Sequence, residues 1–173
     1  MNFHNFYFSC KFIFVYYFLF KKLYFYSIML EIFLGKIMKQ IQKISSLLTR
    51  DKFKGLAFKR DKNCCIFCSN TNITCHHIID RKLFPNGGYY LDNGASVCDE
   101  HHWACEKTDI SVEDVRKACG ITNIILPDGF ESSKVYDKWG NIILPNGRRQ
   151  PGPMFFEENV QKVLKDKLWL FDI

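Results

Sequence analysis

The chain predicts an α+β protein built around a small metal-stabilised core, and three observations carry that prediction. Two short chelating segments, Cys65-Ile66-Phe67-Cys68 and Cys98-Asp99-Glu100-His101, stand 29 residues apart. Between them, Ile73-Thr74-Cys75-His76-His77-Ile78-Ile79 is β-branched enough to be a strand. On either side, apolar residues recur at the three-and-four spacing of amphipathic helices.

The first 35 residues differ from the rest: they hold 14 of the 28 aromatic residues. Their longest apolar run, Phe12 to Phe20, spans nine residues before Lys21-Lys22 interrupts it. A bilayer span needs about 20 predominantly apolar residues, so these charges argue against a transmembrane helix. No small-residue cleavage site follows, which argues against a signal peptide. Three readings fit residues 1–37: a membrane-associating leader, a buried helix, or a translated upstream region with Met38 as the start. The last is preferred, because Phe, Tyr, Ile, Lys and Asn dominate when AT-rich DNA is read as codons.

From Lys39 to Lys59, Ile41, Ile44, Leu47 and Leu48, then Phe53, Leu56 and Ala57, predict two short helices, the second capped by Asp51. Pro85-Asn86-Gly87-Gly88 makes a loop after the first strand, and Ala95-Ser96-Val97 returns as its partner. Asp99 caps a helix running to Lys107. Ser111, with Asp114 three residues on, opens a further helix that Gly120 ends. Asp128-Gly129 and Asn146-Gly147, each flanked by apolar residues, predict hairpins. A final helix covers Glu157 to Leu170. The organisation expected is therefore an N-terminal segment (1–37), a basic helical arm (38–62), a core (63–107) and a hairpin-rich C-terminal extension (108–173).

The net charge of +6 is concentrated: residues 36–62 hold nine Lys or Arg against Asp51 and Asp61. Such a segment suits phosphate contact, with Lys59, Arg60, Lys62, Arg81 and Lys82 as candidates and Arg148-Arg149 as a further reach. Eight cysteines in a secreted chain would imply disulfides, but their clustering with histidine favours metal ligation in a reducing, cytoplasmic compartment. Tetrahedral Zn2+ takes four Cys or His ligands from two short loops, here Cys65, Cys68, Cys98 and His101. Cys64 and Cys105 stand close enough in sequence to substitute, and His101 and His102 to exchange. His76, His77, Asn93 and His102 are then left without a structural task, which suggests a catalytic site beside the zinc.

Those residues together resemble the zinc-containing branch of the HNH endonucleases. The order is Cys-x2-Cys, a His-His followed by an aliphatic pair, a loop with a central Asn, and a second half-site opening a helix. The likeness covers residues 50–107. One departure is His101, where the commoner pattern has a fourth Cys. The resemblance implies a ββα-metal core and metal-dependent hydrolysis of phosphodiester bonds in DNA, of phage type in a host cell. It maps the general base onto His77 and an orienting role onto Asn93. His76 and His102 map onto ligands of a catalytic Mg2+ or Mn2+, with Glu106 supporting them one turn beyond. The alternatives from other classes are a non-catalytic zinc module that binds nucleic acid, and an RNA-directed or accessory HNH protein. No membrane partner is expected, and oligomeric state, target sequence and strand preference leave no mark in the residues.

Overall fold

The computed structural model describes residues 22, 25, 26, 29–34 and 46–172, and the chain divides into two compact units, Met1–Lys43 and Ile44–Ile173. In the first unit, residues 29–34 are helical, and Phe25, Tyr26, Leu30 and Phe33 are exposed. The apolar run 12–20, Cys10, Met38 and the helical positions Ile41 and Ile44 lie outside the described residues. Among those described, no helix is long and apolar enough to cross a membrane.

The second unit is mixed helix and sheet, with two small sheets. Helix α1 spans Arg50–Arg60. Its cap is Thr49, whose Oγ1 accepts from the Lys52 amide at 3.4 Å, while Asp51 sits in the first turn. The hydroxyl two residues earlier thus takes the capping position expected of Asp51, which instead complements the positive helix end. Leu47 and Leu48 are not helical; the Leu48 amide bonds Tyr89 carbonyl at 2.9 Å. One face of α1 buries Phe53 and Ala57, four residues apart.

Strands β1 (Thr74–His77) and β2 (Gly94–Val97) form an antiparallel ribbon, with Thr74 opposite Val97 and His77 opposite Gly94. Helix α2 (Asp99–Glu106) follows at once, with Cys98 rather than Asp99 as the extended residue at its start. A β-carbon at Gly94 would come within 2.5 Å of the Phe53 ring, so only glycine lets α1 lie this close to the ribbon. Ile78, Ile79, Ala95, Cys105, Val112, Val115 and Tyr136 close a shared core.

The C-terminal half belongs to the same unit. Helix α3 (Val112–Ala118) starts at Ser111, whose hydroxyl accepts the Asp114 amide, and ends before Gly120 at φ +66. Strands β3 (Val135–Tyr136), β4 (Ile142–Ile143) and β5 (Arg149–Gln150) form a second antiparallel sheet. Asn146-Gly147 makes the β4–β5 turn as predicted. The β3–β4 turn, however, lies at Asp137–Asn141, because the buried Asp137 carboxylate accepts both the Trp139 and Asn141 amides. Asp128-Gly129 forms a turn without flanking strands. Helix α4 (Glu158–Leu164) tightens into a 3-10 helix over Lys165–Leu170, where one continuous helix was predicted.

Candidate functional site

Side chains alternate along β1 and so divide between two helices. Thr74 and His76 face α2: the Thr74 hydroxyl lies 2.9 Å from His102 Nδ1, and His76 Nδ1 lies 3.4 Å from Glu106 Oε1. Cys75 and His77 face α1, where the His77 ring stacks on Phe53 at 4.7 Å and meets the Tyr89 edge at 5.3 Å. The two adjacent histidines therefore have different neighbours.

Two groups of metal-ligating side chains lie against α2. Cys65, Cys68, Cys98 and His101 have donor atoms within 4.8 Å of one another and could hold a metal ion such as zinc. His101 Nδ1 is 3.1 Å from Cys98 Sγ, 3.7 Å from Cys65 Sγ and 3.8 Å from Cys68 Sγ. Burial alone would raise the Cys65 thiol, but amides of Cys98, Phe67 and Cys68 outweigh it and favour the ligating thiolate. Cys64 instead donates to the Asp61 carbonyl, and burial pushes the Cys105 thiol up to about 12. Neither belongs to the group.

The second group is His76, His102 and Glu106, again with donor atoms within 4.8 Å. His102 Nε2 lies 3.3 Å from Glu106 Oε1, one helical turn away. His101 and His102 are thus parted by α2 itself, one toward each group. Burial would raise the Glu106 carboxyl, yet His102, His76 and Lys138 hold it well below the usual carboxylate range. His76 is 1% exposed and its Nδ1 makes no well-formed hydrogen bond, an orphaned donor site that a metal ion would satisfy. Burial and the Lys138 ammonium push His76 down to about 3, and the same two causes push His77 down to about 4. Both rings are neutral at neutral pH, the form that ligates a metal or accepts a proton.

Comparison with protein-family models, curated proteins and solved structures finds no match. The site is therefore read from its own geometry.

Asn93 is 1% exposed and clamps the loop to the segment after β1. Its Oδ1 accepts the Ile79 amide at 2.9 Å, and its Nδ2 donates to the carbonyls of Ile79 (3.0 Å) and Gly88 (3.1 Å). The candidate phosphate contacts separate. Arg60 is an internal clamp, bonded to Asp61, the carbonyls of Leu91 and Gly94, and Cys119 Sγ, so it is not free for phosphate. Lys82 pairs with Glu157 at 2.6 Å, and Lys59 and Lys62 are exposed. Arg81 lines a cleft of 510 Å³ together with His77. Arg149 is buried against Asp137 and Thr108, and Arg148 pairs with Asp172, which corrects the expectation that this pair reaches a phosphate.

Glu106, expected to support the pair from one turn beyond, stands level with His102 and His76. Two further contributions, from Lys138 and Trp139, were not anticipated. Lys138 Nζ reaches Glu106 Oε1 (3.2 Å), Asp80 Oδ2 (3.6 Å) and the His77 carbonyl (3.0 Å). Trp139 Nε1 donates to the Glu106 carbonyl at 2.9 Å. Nothing local in the sequence ties Lys138 or Trp139 to α2, because their contact is made by the β3–β4 turn.

Proposed function

We propose that this protein is a metal-dependent endonuclease of HNH type that hydrolyses phosphodiester bonds in double-stranded DNA. The observation that carries the reading is the sharing of one short helix by two donor groups. Helix α2 gives His101 to Cys65, Cys68 and Cys98, and gives His102 and Glu106 to His76. In this reading the first group holds a structural Zn2+, whose four-ligand shell leaves no position for water. His76, His102 and Glu106 would hold Mg2+ or Mn2+, which would supply charge stabilisation of the phosphate under attack.

The remaining work falls to the chain. His77, neutral through burial, takes the proton of the attacking water at its imidazole. Asn93 fixes the backbone just beyond it through three hydrogen bonds to Ile79 and Gly88. Strand β1 stops at His77, so a phosphate at the strand end can meet groups from both faces. The order β1, loop, β2 and α2 supports the ββα-metal core that this reading implies.

A second reading, a non-catalytic zinc module that binds DNA or RNA, is favoured by one observation. Lys138 already neutralises Glu106 without a divalent ion. Supercoiled plasmid incubated with Mg2+ or Mn2+, with and without chelator, separates the two. The nuclease reading expects cleavage that requires the ion and is lost in His77→Ala with zinc content intact. A folded, zinc-loaded protein that cuts neither DNA nor RNA with either ion overturns it and leaves the binding module.

A further inference from the structure

The cleft beside His77 lies on the α1 face of the ribbon, with Thr74, Cys75 and His77 of β1 in its lining, and its charges are unspent. Arg50 and Lys54 stand one turn apart on α1, and Arg81 faces them from the turn after β1. Asp51 is the one carboxylate that lines it. Elsewhere in the described residues, Lys82, Lys134, Arg148, Lys162 and Lys167 each pair with a carboxylate. Among the described residues the three cleft cations pair with no carboxylate, as is also true of Lys52, Lys59, Lys62, Lys107, Lys117 and Lys165; what sets the three apart is that they line one concavity. Arg81 donates only to the Tyr89 hydroxyl at 3.3 Å, and Lys54 lies 5.4 Å from the Phe58 ring. The floor is aromatic, His77 and Tyr89 meeting edge to face, and His77 Nε2 is buried without a hydrogen-bond partner. The volume of 510 Å³ falls in the range of ligand clefts, about 300–1,000 Å³.

We propose that this cleft binds the phosphodiester backbone of the nucleic-acid substrate, with Arg50, Lys54 and Arg81 on successive phosphates and a nucleotide against Tyr89. The proposal rests on the nuclease reading and gives it a strand path. The strand runs along α1 and delivers its phosphate to His77 from the face opposite His76. It moves the phosphate contacts from Arg60 and Lys82, which are engaged within the protein, to side chains with no acidic partner. A convex rim of lysines binds any polyanion weakly. A concave site with opposed cations and a stacking surface binds a nucleic-acid strand in one register.

The test is fluorescence anisotropy of a labelled DNA duplex, and of the corresponding single strand, across a salt series without added Mg2+ or Mn2+. The zinc-loaded full chain is compared with Arg50→Gln, Lys54→Gln and Arg81→Gln, singly and combined, and with Lys162→Gln on α4 as control. Each phosphate contact contributes about 0.9 to the slope of log affinity against log salt on duplex DNA. Each single variant is expected to lower the slope by roughly one, and the triple variant to lose at least about tenfold in affinity. Lys162→Gln should match the parent. Should the triple variant keep the parental slope, or Lys162→Gln lose as much, the cleft assignment falls. Binding is measured without cleavage, so the two readings fail separately. Cleft-dependent binding with no cleavage of plasmid sinks the nuclease reading alone, whereas cleavage with slopes unchanged in the variants sinks the cleft alone.

Discussion

At His76 and His77, burial and the Lys138 ammonium depress both imidazoles, to about 3 and about 4. The folded protein thus binds these protons less readily than the unfolded chain, whose histidines titrate near 6.5. Above that value neither ring costs stability. As pH falls from about 6.5 toward 4, the unfolded state gains protons that the folded state refuses, and stability declines. The melting temperature should fall through that window, and His77→Phe, which keeps the stack on Phe53, should flatten the decline. An identical slope in the variant would mean that His77 is not kept neutral by the fold.

The same two residues separate by role in kinetics. His77→Ala should cut cleavage by ~10²–10⁴-fold while leaving Mn2+ affinity near normal. His76→Ala and His102→Ala should weaken the ion, and raising its concentration should restore part of the rate. Neither should release zinc. A Mg2+ titration of all three variants checks this, and rescue of His77→Ala by metal would exchange the assignments.

Among the elements, α2 is the one on which both groups depend. It is eight residues long, too short to be stable alone, so packing must hold it, and an ion bound by its donor groups would add to that. Cys98 follows β2 directly, supplies a thiol and starts the helix, so loss of that thiol should loosen the His102 side as well. If the proposed zinc site is right, the parent should retain roughly one equivalent of zinc after dialysis, and Cys98→Ser should lose it, melt at a lower temperature and bind Mn2+ less tightly. Zinc retained by a Cys98→Ser protein of parental stability would overturn the ligand set. By contrast α1 makes its contribution through Phe53, which fills the space left by the absent Gly94 side chain and sets the floor beneath His77.

At the scale of the whole molecule, the C-terminal half is structural support for the site rather than an appendage. Tyr136 enters the core beside Ile78 and Ile79, while Lys138 and Trp139 reach Glu106. The division at Lys43 and Ile44 places residues 1–37 outside this unit. A protein beginning at Met38 should keep the melting temperature, zinc content and cleavage of the full chain. Loss of any of these on truncation, measured by thermal melts, metal analysis and plasmid assay, would tie the aromatic segment to the folded unit.

What the sequence determined by itself was local. Cys65-x2-Cys68 and Cys98-x2-His101 each present two donors together because short loops bring their own ends close, and Ser111 and Asn146-Gly147 act on backbone within a few residues. Asn93 was legible too, since a central amide in a loop has nearby backbone to bind. What tertiary structure decided was every pairing across long separations. Sequence could not distinguish Arg60, 34 residues from the Gly94 carbonyl it binds, from a solvent-exposed basic residue of the same arm. Nor could it place Lys138, 61 residues from the His77 carbonyl, or show that Arg149 is spent on Asp137. A charge's availability depends on which counter-charge the fold brings to it, and residue spacing carries no record of that.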